Sequence, residues 1–381
     1  MKQLLKKNKT PRKIILIVNF FIKFFFKTKW KFLKPKKSNI LIYDRESIGE
    51  LDFYLKKKEY EIFHTRYEQI NIYIILYTIL VDGIKNLKEN YKLNYFRIVS
   101  PKVVITLIDE NTGFFKLKNL YPYAKYVSIQ IIFKDNRFYN YIRDFKKKYN
   151  NFKFRSDVSF VLGNNDKIKY KKYLKSKIVS LGSIKNNNFP LKKNYNKKID
   201  KILFISGSLP KNRKDVETKY LRAIKIFNFL ESYCSEKNIK LFLLSKYKGN
   251  ILSKYKEYYG DGNWKFVAKK NTQETYKIIN NSQFIVSENS TLTYEAFSKN
   301  IKGVCFPEVF PYKNYSRVIN KKQGFFWSTS ISKKILFSKI NKVTKLNQKK
   351  WKNIVSKEIK NIITYNPQNI IFSKTVDKFL K

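Results

Sequence analysis

Residues 284–307 read FIVSENSTLTYEAFSKNIKGVCFP, and this stretch limits the possible fold more than any other. An apolar run (Phe284, Ile285, Val286) meets a polar turn (Ser287, Glu288, Asn289). A segment of helical spacing follows from 290 to 298, then a second apolar run (Val304, Cys305, Phe306). Runs this short, apolar or β-branched and bounded by turn residues, suit a parallel sheet buried on both faces. Asn289 or Ser290 offers a side-chain oxygen to cap the helix. The predicted unit is strand, turn, helix, strand, with a helix N-terminus at the carboxyl end of a strand. Open parallel sheets bind ligands at such points, and unpaired first-turn N–H groups plus the helix dipole favour a phosphate there.

Thr291, Glu295 and Ser298 share one helix face, with Leu292, Ala296 and Phe297 nearer the packing side. A carboxylate one turn beyond a phosphate site is placed to accept hydrogen bonds from sugar or ribose hydroxyls. The same residues equally fit a plain helix start, with Ser290 and Thr291 capping and Glu295 in solvent.

The strand–helix alternation runs the length of the chain. Strands are expected at 39–43, 60–64, 102–109, 126–131, 159–163 and 177–183. Residues 70–93 read as a buried crossover helix. Residues 186–198 (NNNFPLKKNYNKK) are polar and aperiodic, the composition of an interdomain linker. Strands resume at 201–205, 240–244, 264–267 and 284–286. The expected class is α/β, with two Rossmann-like domains facing a cleft: a leading segment 1–38, a first domain 39–190 and a second 191–381. Within this frame, Asp109, Glu110 and Asn111 follow a strand, as do Ser206 and Gly207; Gln130 ends another strand. The Ser-Gly-Ser turn at 206–208 suits a phosphate or a plain β-turn equally. Asp109 is open to two readings, a cleft-facing acid or a solvated neighbour of a cap at Asn111 or Thr112.

The 381 residues include 81 basic and 28 acidic side chains, a net charge of +53. The excess is overwhelmingly Lys, accompanied by abundant Asn, Ile, Phe and Tyr, as A/T-rich codons would produce. Arg, suited to bidentate base and phosphate contacts, is scarce, so specific nucleic-acid binding is not expected. Anionic small partners and anionic membrane surfaces remain favoured by the field. Cys234 and Cys305 read as buried free thiols of a reducing compartment. A single histidine, His64, rules out a His-based metal cluster and reads as a strand-end residue.

Residues 1–37 carry 13 Lys or Arg and no acid, around the apolar run IILIVNFFIKFFF at 14–26. That run is too short to span a bilayer and suits a helix lying in the interface of an anionic cytoplasmic leaflet. A basic tail, or a helix packed on the first domain, is the alternative.

The run SENSTLTYEAFSKNIKGVCF at 287–306 resembles the donor-site segment of GT-B-like transferases. More narrowly it resembles the bacterial surface-carbohydrate-biosynthesis transferase family, through Ser-Thr-Leu-x-Tyr-Glu-Ala and the basic, Gly-containing turn that follows. CDP-glycerol glycerophosphotransferases carry a related segment. The run Leu-Gly-Ser-Ile-Lys-Asn-Asn at 181–187 matches the same family, and the strand ending Asp109-Glu110-Asn111 is similar to its Asp-Asn strand end. Two departures stand out: Ile131 and Ile132 follow Gln130 where the family has Asn-Gly, and Phe325 replaces Pro in the Gly-x-Phe-Trp element at 324–327.

The resemblance implies a metal-independent GT-B-type glycosyltransferase, or glycerophosphotransferase-like enzyme, of surface polysaccharide or lipopolysaccharide assembly. It would need no cofactor, its substrate being a nucleotide-activated sugar, with a glycan or lipid-linked acceptor. It would work in the cytoplasm, peripheral on the inner face of the plasma membrane. Ser206, Gly207, Ser287, Asn289, Ser290, Thr291 and Glu295 would bind the donor. Asp109 or Glu110 would be the general base, with Asn111 and Gln130 on the acceptor side. The terminal helices would cross back over the first domain. A sugar-nucleotide 2-epimerase shares the expected fold and is one rival reading; a non-catalytic glycan- or nucleic-acid-binding protein is another.

Overall fold

The computed structural model describes residues 28–66, 68–134, 136–148, 154–191, 199–207, 209, 221–249, 251–288, 290–307 and 323–381. The expected interface helix at 14–26 and the expected capping and donor residue Asn289 lie outside the described residues.

The strands are β1 (Lys29–Lys31), β2 (Ile40–Tyr43), β3 (Glu61–Phe63), β4 (Gln69–Asn71), β5 (Val103–Thr106), β6 (Lys125–Ile129), β7 (Arg155–Val161) and β8 (Lys175–Ser180). They continue with β9 (Lys201–Ile205), β10 (Lys240–Lys248), β11 (Trp264–Lys269), β12 (Phe284–Ser287) and β13 (Lys302–Cys305). The α-helices are α1 (Asp52–Leu55), α2 (Ile72–Asp82), α3 (Leu87–Val99), α4 (Thr112–Leu120), α5 (Asn136–Lys148), α6 (Asn164–Lys171) and α7 (Ile184–Asn187). They continue with α8 (Leu221–Glu236), α9 (Leu252–Tyr259), α10 (Thr272–Asn281), α11 (Thr291–Ser298), α12 (Lys333–Thr344), α13 (Gln348–Ile362) and α14 (Ile370–Leu380).

The chain forms two compact units. The first holds the described residues to Ile129 with Phe154–Asp157 and Thr375–Lys381; the second holds Gln130–Lys153 and Val158–Lys374. The larger sheets are a six-stranded one in the order β3-β2-β5-β6-β7-β8 and a five-stranded one in the order β11-β10-β9-β12-β13. Every strand pair whose register is resolved among the described residues is parallel.

In the first unit, β2 and β5 are buried at every position, which is why both read as unbroken apolar runs. Phe63 anchors an aromatic core, stacked on Tyr43 and edge-on to Tyr95 and Phe96. The stretch expected as one buried helix at 70–93 is instead a short strand and two helices, split at Gly83, whose φ is +73°. Only Ile74 and Thr78 of α2 are buried, because apolar side chains surround the whole helix while neighbours cover one side. An Asn71 cap on Ile74 N–H starts α2. The Asp377 carboxylate of α14 accepts from Tyr54 at 2.6 Å and from Lys58 at 3.1 Å, tying the chain's end to α1 and the turn after it.

In the second unit, the five-stranded sheet is likewise buried through its centre, with Phe204, Phe284, Ile285 and Val304 all at 0% exposure. Gly303 of β13 is required by packing: a Cβ there would lie 2.3 Å from the Ile285 carbonyl oxygen. Gly324 is required in the same way, since its Cβ would sit 2.1 Å from the Trp327 ring. Trp327 is 2% exposed and edge-on to Phe326, so the Gly-Phe-Phe-Trp element is part of the core.

Residues 186–191, expected to begin a linker, are built into the second unit. Asn186 and Asn187 are buried, and Asn187 Nδ2 donates to the Leu181 carbonyl and to Asn369 Oδ1. Thr364 N–H donates to the Leu162 carbonyl at 2.8 Å. These bonds join residues 158–190 to the C-terminal helices, and so those residues belong with the second unit and not with the first.

Candidate functional site

Strand order fixes where the second unit can hold a ligand. From the adjacent strands β9 and β12, the sheet grows outward in opposite directions. This is a topological switch point, the kind of position where open parallel sheets bind ligands. Ile205, the last residue of β9, pairs with Ser287, the last of β12. The loops beginning at Ser206-Gly207 and at Glu288 therefore emerge side by side.

Both loop starts lie at this end of the sheet. Among the described residues, a Cβ on Gly207 would meet nothing within 4 Å. Ser290 is the N-cap of α11, in extended conformation, and its side chain makes no capping bond. The starts of α10, α12 and α13 are capped by Asn271, Ser332 and Asn347. Beneath the first turn of α11, Thr293 Oγ1 donates to Ser287 Oγ at 2.6 Å, with both side chains buried. The bond pins the helix start to the strand end and is worth about 1 kcal/mol.

Two residues that sequence reading passed over sit at the same end. Arg222 Nη2 donates to the carbonyls of Thr329 (2.7 Å), Phe306 (3.3 Å) and Pro307 (3.4 Å). Its Nε lies 3.8 Å from Glu288 Oε1, the side chains being 22% and 16% exposed. One guanidinium thus links α8, the loop after β12 and the loop after β13. The available signal was an Arg in a chain whose basic residues are mostly Lys, because the planar fork reaches several acceptors at once.

Several expected ligand contacts are satisfied inside the protein instead. Ser206 Oγ donates to the Leu244 carbonyl and pairs with the Tyr255 hydroxyl, both at 2.8 Å, so its side chain faces the core while Gly207 faces out. The Ser287 hydroxyl is fully buried on Thr293. Glu295 is 3% exposed: Tyr276 donates to its Oε2 at 2.7 Å, and the Ser183 hydroxyl also bonds the carboxylate. Asn186 Nδ2 donates to the Glu295 carbonyl at 3.1 Å and to Ser298 Oγ at 3.2 Å. The two family-like runs, 181–187 and 290–298, thus meet here, and Glu295 positions α11 without touching ligand-accessible space. Burial raises the Glu295 carboxyl pKa, opposed by Ser183 and Tyr276 and by the charges of Lys185 and Lys299. Burial pushes Lys299 down to about 8. Ser290 and Thr291 remain half-buried at the helix start.

Gln130 is corrected for the same reason. Its Nε2 donates to the Ile132 carbonyl and to Asp166 Oδ2, and its Oε1 accepts from Leu162 N–H, leaving the amide engaged with protein. In the first unit, Asp109 is 2% exposed and Glu110 is exposed, so the solvent-facing acid of the loop after β5 is Glu110. Asn111 caps α4 by accepting from Gly113 N–H at 2.9 Å, and it also lines a cavity at the carboxyl ends of β2 and β3. Among the described residues, no group of three or more His, Cys, Asp or Glu side chains is placed to hold a metal ion. No helix among them is long and apolar enough to cross a membrane.

A family profile described as "putative O-antigen biosynthesis protein" matches residues 132–380, well over half of the chain and nearly the whole second unit. No curated protein matches the sequence. Among solved structures, the chain is similar to a "putative UDP-N-acetylglucosamine 2-epimerase" from Listeria monocytogenes, with 10% identity, 90% of this chain and 96% of that one covered, and a TM-score of 0.55. It is similar to the Neisseria meningitidis UDP-GlcNAc 2-epimerase bound to UDP-GlcNAc, with 10% identity, coverages of 89% and 99%, and a TM-score of 0.53. It is also similar to S. aureus MnaA in complex with UDP, with 13% identity, coverages of 91% and 97%, and a TM-score of 0.50. At these identities the likeness is one of fold, the GT-B-like α/β fold. By the extent of the profile match, the chain belongs to the O-antigen biosynthesis protein family.

Proposed function

We propose that the chain is a GT-B-type transferase of cell-surface polysaccharide assembly whose second unit holds a nucleotide-activated sugar or polyol phosphate. The observation that carries this reading is the side-by-side exit of the Gly207 loop and the α11 start from β9 and β12 at the switch point. A diphosphate there meets first-turn N–H groups, the positive end of the helix dipole and the hydroxyls of Ser290 and Thr291. As the bond from the sugar carbon to the phosphate oxygen breaks, negative charge builds on the leaving nucleotide, and fixed dipoles aimed at it lower the barrier. Arg222 holds the surrounding loops in register and adds positive charge beside them. The acceptor hydroxyl loses its proton to a carboxylate of the loop after β5, where Glu110 is the exposed one. The acceptor is a glycan or lipid-linked glycan at the inner face of the plasma membrane, where the Lys-rich leading segment is attracted to anionic lipid.

The likeness to 2-epimerases, one of them bound to UDP-GlcNAc, favours a second reading in which the same phosphate site serves epimerisation at C2. One experiment separates the two. Nucleotide sugars and CDP-glycerol are incubated with the protein, with and without acceptor glycan, and followed by NMR. Nucleotide release that requires an acceptor supports transfer. Inversion at C2 without acceptor replaces it with the epimerase reading.

A further inference from the structure

The first unit contains a cavity of about 530 Å³ at the carboxyl ends of β2 and β3. Phe63, Ile70, Ile75 and Leu87 give it an apolar wall, and Lys88 and Lys92 of α3 give it a cationic edge. These lysines are four apart on one helix and so present two like charges on one face. Burial lowers the Lys92 pKa, and the neighbouring charges of Lys88 and Lys116 lower it further against Glu89 alone. His64, also in the wall, has a buried Nδ1 that finds no hydrogen-bond partner among the described residues. Next to Ile75, α2 turns apolar side chains outward: Leu76 is 56% exposed and Leu80 84%, with Ile84 just beyond at 76%. The helix that supplies Ile75 to the cavity wall thus also carries exposed apolar side chains, and the positive charge lies on the neighbouring helix α3.

We propose that this cavity binds a phosphate-headed lipid, its head on Lys88 and Lys92 and its chain along Ile70, Ile75 and Leu87, continuing over the exposed face of α2. An apolar ligand alone makes no use of the cationic edge. A small anion alone leaves the apolar wall and the α2 face in water, where large exposed apolar patches mark interaction sites. Only an amphiphile answers both. The site lies wholly in the first unit, whereas the donor site is assigned to the second.

The test is calorimetric titration of the full-length protein with dodecyl phosphate below its micellar concentration, compared with dodecanol and with inorganic phosphate. Dodecyl phosphate should bind saturably, and each half-ligand at least about tenfold more weakly. The Lys88→Ala/Lys92→Ala double variant should lose about tenfold or more in affinity. Ile75→Trp, which fills the cavity, should lose it without touching charge. Unchanged thermal unfolding in the lysine variant separates lost binding from lost fold. No binding by the wild type, equal binding of inorganic phosphate, or indifference to both variants would overturn the proposal. Nucleotide binding measured on the same samples reports on the donor site separately.

Discussion

The Tyr276 hydroxyl donates to Glu295 Oε2 at 2.7 Å in a setting where both side chains are at most 4% exposed. The bond joins α10 to α11, and Ser183 and Asn186 bring in α7 through the same residue. A carboxylate that looks like a ligand contact on a helical wheel is thus the junction of three helices. By holding α11 from behind, it fixes where the helix N-terminus points.

That junction predicts a pH dependence of known sign. Burial raises the folded-state pKa of Glu295 above its ordinary 4.5. The native state therefore binds the proton more tightly than the unfolded chain does. Stability from this group is fully present below pH 4.5 and is lost as pH rises through the folded value. Glu295→Gln keeps the shape and removes the titration. The melting temperature of the wild type minus that of the variant should fall as pH rises from about 4.5 toward neutrality. A difference that grows over this range would show that the carboxylate is stabilised by its partners more than it is penalised by burial.

Gly303→Ala tests the close approach of β13 to β12. The new methyl would lie 2.3 Å from the Ile285 carbonyl oxygen and 3.0 Å from the Phe297 ring, and backbone cannot swing aside as a side chain can. Overpacking of this kind costs about 1–3 kcal/mol. Urea unfolding should show the midpoint displaced downward with little change in slope. An unshifted midpoint would mean that the strands separate easily.

These residues show what a sequence alone discloses. The strand, turn and helix at 284–298 were legible because apolar run, turn and helical spacing are local properties. The inward turn of Ser206 was not, since it depends on Tyr255, 49 positions away. Glu295 was misread as solvent- or ligand-facing because one helix's periodicity says nothing of Asn186, 109 positions earlier. The apolar run at 70–80 predicted burial, yet a helix apolar all round needs neighbours all round, and α2 has them on one side. Arg222 escaped notice because its acceptors are backbone carbonyls, which leave no trace in side-chain identity.

Both cysteines should be inert in the native protein. Cys234 is 3% exposed and Cys305 1%, and burial pushes both thiols up to about 12. At pH 8 only about one molecule in ten thousand then carries either thiolate, the form that reacts. Ellman's reagent should detect no thiol in buffer at pH 8 and two per chain in denaturant. Rapid labelling of one thiol without denaturant would mean that its region opens readily.

Gly207→Val separates the donor site from the fold. Among the described residues nothing lies within 4 Å of a Cβ built there, and the φ is outside the left-handed range, so the branched side chain meets no described atom. Surface changes of this kind move stability by no more than about 0.5 kcal/mol. If the loop after β9 lies against the donor phosphates, the same side chain stands where the backbone must approach them. Nucleotide affinity should then fall at least about tenfold, a loss of about 1.4 kcal/mol, while the melting temperature of the unliganded protein stays put. Titration of the wild type and the variant with the nucleotide that best stabilises the wild type measures both quantities on one sample. Equal affinities would place the phosphates away from this loop, and α11 would then have to hold them without it.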